Sequence, residues 1–187
     1  MDASQTVKVS PIRLAHFVLV TSRFAEMRRW YLTVLQAHVQ FDNETLAFLT
    51  YDQEHHRIAL ANVPGLEARS SKHAGLHHVA FTYGSIGDLL HTYKRLKAEA
   101  IVPYWCINHG PTTSMYYRDP DGNSIELQID NFASNEALNG WFKSGAFERN
   151  PIGVKFDPDQ LVRRFEQGVP FEQLIQQGAG APAEVPV

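Results

Sequence analysis

Two stretches of this chain spell the same pattern 62 residues apart. HFVLVTSRFAEMRRWYLTVLQAH, from His16 to His38, lies without a gap over HVAFTYGSIGDLLHTYKRLKAEA, which begins at His78. The overlay pairs His16 with His78, Phe24 with Ile86, Glu26 with Asp88, Met27 with Leu89, Tyr31 with Tyr93 and Val34 with Leu96. A repeat of this length means one supersecondary unit used twice, so it sets the architecture before any local reading.

Each copy begins as a strand and continues as an amphipathic helix, because Phe24, Met27, Tyr31 and Val34 recur at helical spacing. Strand patterns follow near 39–41, 45–51 and 57–61 in the first copy, and near 101–107, 112–118 and 124–129 in the second. Asp119-Pro120-Asp121-Gly122 has the residues of a tight turn and predicts a hairpin between the last two strands. Asp52-Gln53-Glu54-His55-His56 stands in the same place in copy one, where His55 and His56 read as solvated turn residues. The expectation is an α+β fold of two tandem β-α-β-β-β modules over residues 8–131, module one at about 8–62 and module two at about 75–131. The Pro- and Ser-containing stretch 62–73 links them.

Beyond Ile129 the repeat ends. Helical patterns at 134–143 and 157–167, the second with Asp157 as cap and Pro158 in the first turn, predict a mostly helical extension over 132–177. A further helix is expected at 170–177, and a disordered tail at 178–187. Trp141, Phe142, Phe147, Phe156 and Phe165 make the extension too apolar to be free, so it should cover the core, a site mouth or a subunit interface.

A net charge of −3 over 187 residues gives no basic footprint for nucleic acid or an anionic membrane, which leaves a small molecule or a second copy in a homo-oligomer as partner. No apolar run has membrane-spanning length and the first residues do not read as a signal peptide, so a cytoplasmic protein is expected. Cys106 is the one cysteine; it cannot form an internal disulfide and reads as a buried structural thiol.

Strand alternation selects the residues that share a face. His16 lies opposite Phe17 and Leu19, and His78 opposite His77, Val79 and Phe81. Glu126 lies opposite Ile125, Leu127 and Ile129. Three strands thus offer an apolar face to the helices and a second face carrying His16, His78 and Glu126. Alternation also favours His78 over His77. Two imidazoles and a carboxylate form the donor set of a facial triad, which leaves coordination positions open for chemistry. His38, His73 and His91 belong to no constellation.

With LAHFVLV, GLHHVAF and YYRDPDGNSIELQ in view, residues 10–131 resemble the vicinal-oxygen-chelate superfamily, in which paired modules form an open mixed β-barrel around a divalent metal. The resemblance implies ligand positions on the first and last strands of each module, which here read His16, Ala59, His78 and Glu126. Glyoxalase I and the methylmalonyl-CoA epimerases fill all four. A vacant fourth position is similar to the type I extradiol dioxygenases and to the fosfomycin-resistance thiol transferases. The stretch NHGPTTSMYYRDPDGNSIEL resembles the dioxygenase segment that carries a histidine and then a tyrosine ten residues before the glutamate. That resemblance implies His109 as acid–base group and Tyr116 as a hydrogen-bond partner of substrate, and alternation places Tyr116, unlike Tyr117, on the Glu126 face.

The implied chemistry is extradiol opening of a catechol-type aromatic diol by O2 with Fe(II), or Mn(II), as cofactor. The chain departs from the larger dioxygenases in having two modules instead of four, and in a shorter loop at His109. The rival thiol transferase calls for a cationic pocket, and no matching basic cluster lies near the ligands in sequence. A glyoxalase-like enzyme and a non-catalytic resistance protein that sequesters its ligand are the other readings.

Overall fold

Met27, Tyr31 and Val34, with Leu89, Tyr93 and Leu96 at the repeat-related positions, are all buried, so the helical period seen in sequence is the period of the packing. Each such side chain contributes roughly 1.5–3 kcal/mol by leaving water. The structure is a computed structural model describing residues 8–70, 72, 74–178 and 182–186. The chain divides into two compact units at Leu66/Glu67.

The first unit runs β1 (Phe17–Thr21), α1 (Phe24–Leu35), β2 (His38–Asp42), β3 (Leu46–Thr50) and β4 (Ile58–Asn62). Its sheet has the order β1-β4-β3-β2, with β1 and β4 parallel and the other pairs antiparallel. The second unit repeats the plan with β5 (His78–Thr82), α2 (Ile86–Ala98), β6 (Trp105–Asn108), β7 (Thr112–Arg118) and β8 (Ser124–Asp130). Again the first and last strands of the module pair in parallel.

Register makes the equivalence residue-specific. Val18 pairs Ala59 in the first sheet, and Ala80, its counterpart in the repeat, pairs Glu126 in the second. Ala59 therefore occupies the position of Glu126. The Asp119 carboxylate accepts the N–H groups of Asp121 and Asn123 at 3.0 and 2.8 Å, closing the expected β7–β8 hairpin. Copy one replaces that tight turn with a longer loop from 51 to 57.

The extension adds α3 (Asn135–Lys143), α4 (Ala146–Arg149), β9 (Val154–Lys155), α5 (Pro158–Glu166) and α6 (Phe171–Leu174). Ser134 and Asp157 cap α3 and α5 through their side-chain oxygens. The short α4 and β9 have no counterpart in the sequence pattern, and the helix expected over 170–177 amounts to a single turn. β9 pairs with β6, so the second sheet reads β5-β8-β7-β6-β9. Tyr93 and Lys97 of α2 donate to Asp159 at 2.8 and 2.6 Å and Lys94 pairs with Glu166 at 2.6 Å, docking α5 along α2. Trp141, Phe142 and Phe147 cluster on one another and on Phe132.

His73, 179–181 and Val187 lie outside the described residues, so the expected disorder at 178–187 bears only on the remainder. There, Ala183 donates its N–H to the Gly153 carbonyl at 2.9 Å. Among the described residues, no helix is long and apolar enough to cross a membrane.

Candidate functional site

In the second unit, β5 and β8 bring His78 and Glu126 together. The two residues sit one strand-repeat apart on neighbouring strands, and His78 Nε2 lies 3.0 Å from Glu126 Oε2. Burial alone would raise the Glu126 pKa, but hydrogen bonds from His78, Ser114 and Tyr116 outweigh it and hold the carboxyl below the usual glutamate range. The result is an ionised, nearly inaccessible carboxylate beside a half-exposed imidazole. An imidazole nitrogen and a carboxylate oxygen at this separation have the donor chemistry of adjacent ligands to a divalent ion such as Fe(II) or Mn(II). His77 meets His78 itself: its Nδ1 lies 2.7 Å from His78 Nδ1, with the two rings nearly perpendicular and their centroids 5.0 Å apart.

Tyr116 is buried on β7 directly opposite Glu126. Its ring meets His78 edge-on, with centroids 5.4 Å apart. Burial, then the Glu126 charge, pushes its hydroxyl pKa far up, so the phenol keeps its proton. His109 follows β6, and its Nε2 lies 3.0 Å from the Tyr116 hydroxyl. The structure therefore joins the two residues that the resemblance had linked. His109 is mostly enclosed, and burial lowers its pKa despite opposing contributions from the Ile152 carbonyl and Glu126.

The His109 loop is shaped from several sides. Gly110 has φ +96°, and a Cβ there would lie 2.4 Å from the Trp141 ring. Asn131 donates to the Gly110 carbonyl at 2.8 Å, and Asn108 accepts the Gly110 N–H at 2.8 Å. Trp105 of β6 packs on Tyr116 and His109, with centroids 4.8 and 5.5 Å away. Its buried Nε1 has no partner among the described residues. Nothing in the period or motifs singled out Trp105.

His16 immediately precedes β1 in the first unit. Arg57 donates to the carbonyls of Leu14 and Ala15 at 2.8 and 3.0 Å while its other nitrogens hold Asp52, tying the backbone before His16 to the loop before β4. That loop carries His55 and His56. The expectation of two solvated turn residues fails for His56, which is buried, stacked on Phe48 at 4.4 Å and set 4.1 Å from the His16 ring. Burial, with His16 and His55 beside it, lowers the His56 pKa. His16, His55 and His56 each offer a nitrogen within 4.8 Å of the others, a second group able to hold a metal.

Residues 13–127 match the sequence pattern of the Glyoxalase/Bleomycin resistance protein/Dioxygenase superfamily. The chain is 47% identical over 163 residues to biphenyl-2,3-diol 1,2-dioxygenase 2 of Rhodococcus globerulus, covering 87% of this chain and 86% of that protein. It is 46% identical over 164 residues to biphenyl-2,3-diol 1,2-dioxygenase 3 of the same organism, with the same coverage. Among solved structures, a glyoxylase/bleomycin resistance protein/dioxygenase domain from Frankia sp. EAN1pec superposes with a TM-score of 0.54 at 20% identity, over 65% of this chain and 99% of that one, a likeness of fold. Repeat, register and sequence agree, and the chain belongs to the Glyoxalase/Bleomycin resistance protein/Dioxygenase superfamily.

Proposed function

We propose that this protein is an extradiol dioxygenase that opens the ring of a catechol-type diol of the biphenyl-2,3-diol kind, using O2 and Fe(II), with Mn(II) as the alternative ion. The observation that carries this reading is the constellation on the second sheet, where His78 and Glu126 stand 3.0 Å apart with Tyr116 opposite and His109 bonded to it. The names of the Rhodococcus globerulus relatives support the same class of substrate. The proposed ligand set is His16, His78 and Glu126, with Ala59 at the fourth position leaving coordination sites for substrate.

A bound divalent ion supplies Lewis acidity that lowers the pKa of a diol hydroxyl and a common centre for diol and O2. The chain's own residues do the rest. Glu126 enters as an anion, because its hydrogen bonds keep it ionised. Tyr116 stays protonated and hydrogen-bonds a substrate oxygen, which orients the ring. His109, held neutral by burial, can accept a proton from substrate and return it. His56 is a second candidate for that role, since it is a buried imidazole against His16.

The test is anaerobic loading with ferrous iron, followed by oxygen uptake on a panel of catechol, substituted catechols and biphenyl-2,3-diol. Uptake with a coloured ring-opened product is expected, and no uptake across the panel would favour the thiol transferase reading. Glu126→Ala should lose metal and activity together. Metal retained in Glu126→Ala but lost in His55→Ala would move the ion to the three-histidine group. His109→Ala should keep iron and slow turnover. If only His56→Ala did so, the proton role would pass to His56.

A further inference from the structure

The turn before β9 reaches back from the extension to the ring of His109. His109 Nδ1 lies 2.5 Å from the backbone carbonyl of Ile152, while Nε2 faces the Tyr116 hydroxyl. We infer that the Ile152 carbonyl is a positioning group that fixes the His109 proton on Nδ1 and leaves Nε2 as a bare acceptor beside the Tyr116 hydroxyl, ready to take a substrate proton. This rests on the reading of His109 and Tyr116 as residues that act on substrate.

A carbonyl oxygen only accepts, so the nitrogen that meets it must carry the hydrogen. A neutral imidazole has one N–H, so its other nitrogen is a bare acceptor. The group facing Nε2 is the Tyr116 phenol, whose single proton has two acceptors within reach, the bare Nε2 and the Glu126 carboxylate. Burial, together with the nearby His78, keeps the ring on the neutral side, while the Ile152 carbonyl and Glu126 act in the opposite sense. With Nδ1 unclamped, either tautomer would be open to His109 and the Tyr116 bond could reverse. The lock thus keeps Nε2 in the form that can take a proton from substrate.

The carbonyl is held from both sides by contacts outside the repeated modules. Gly153 N–H donates to Asn150 Oδ1 at 2.7 Å, and the Gly153 carbonyl accepts from Ala183 at 2.9 Å. Asn108, just before His109, donates to the Ile175 carbonyl at 2.6 Å and accepts from Gln177 at 3.0 Å. Gly153 itself has φ +110°, and a Cβ there would lie 2.2 Å from the Asn108 carbonyl oxygen and 2.8 Å from the His109 Cα. Only glycine brings the 152–153 peptide this close. The extension therefore acts as a clamp on the His109 loop as well as a cover.

The experiment is long-range proton–nitrogen NMR of the His109 ring in the full-length protein, with zinc as a diamagnetic ion and His109→Ala for assignment, run beside steady-state oxygen uptake with iron. The wild type should show hydrogen on Nδ1 alone. Gly153→Ala should populate the Nε2–H form and lower kcat about tenfold or more, with KM changed less than about threefold. Asn150→Ala removes the Gly153 acceptor without adding a clash and should shift the tautomer in the same direction even if Gly153→Ala does not fold. Hydrogen on Nε2 in the wild type, or an unchanged tautomer in folded Gly153→Ala and Asn150→Ala, overturns the inference. Since the NMR arm needs no turnover, a locked tautomer in a protein that consumes no oxygen with any diol sinks the dioxygenase reading alone.

Discussion

Cys106 shows how position sets a side chain's chemistry. It lies on β6, and burial, with Asp157 and Asp159 adding to it, pushes its thiol up to about 12. The thiolate is the reactive form. Folded protein is therefore expected to resist iodoacetamide at pH 8 and to take one label once unfolded, which intact-mass spectrometry will check. Rapid labelling of the native chain would contradict it. Between the ordinary value of 9.0 and about 12 the unfolded thiol ionises while the folded one does not, so this group removes stability as pH rises through that window. His56 makes the same point for reading sequences. Alternation separates His78 from His77 because both are at the start of a strand, but it has no purchase on a loop. The Arg57–Asp52 pair and Phe48 decide where His56 goes.

At the scale of elements, Asp159 is one of two carboxylates that hold α5 on α2, the other being Glu166. Lys97 foremost, with Tyr93, holds the Asp159 carboxyl below its usual 3.8, and Asp159 in turn raises Lys97. A lowered carboxyl pKa stabilises the fold above 3.8 and loses that contribution as pH falls through 3.8 toward the folded value. The raised Lys97 contributes below its usual 10.5 and is lost as pH climbs past it. Asp159→Asn should thus unfold at a lower temperature than wild type near pH 7. The gap should close in acid, and a gap independent of pH in melting curves would show that the pair does not couple to folding. Both partners are exposed, so the effect is small. α5 was legible because a Pro in the first turn, an Asp cap and an apolar stripe coincide. β9 was not, since two residues have no period and pair with β6 only through the fold.

For the whole molecule, the extension belongs structurally to the second unit. It contributes buried Leu161, Val162 and Leu174, on the order of 5 kcal/mol of apolar burial together. That is a large part of the roughly 5–15 kcal/mol by which domains are stable. A chain ended at Asn131 is expected to melt far below the full-length protein or to aggregate, as thermal circular dichroism and size-exclusion chromatography will show. An unchanged midpoint would make the extension a passive appendage. The repeat, the helical stripe and strand parity determined the two modules, the equivalence of His16 with His78 and the face of the last strand on which Glu126 stands. These are periodic properties, and periodicity is written locally along a chain. The burial of His56, the unsatisfied Trp105 indole and the Ile152 carbonyl on His109 were decided only by tertiary structure, because each depends on non-periodic segments meeting side chains far away in sequence.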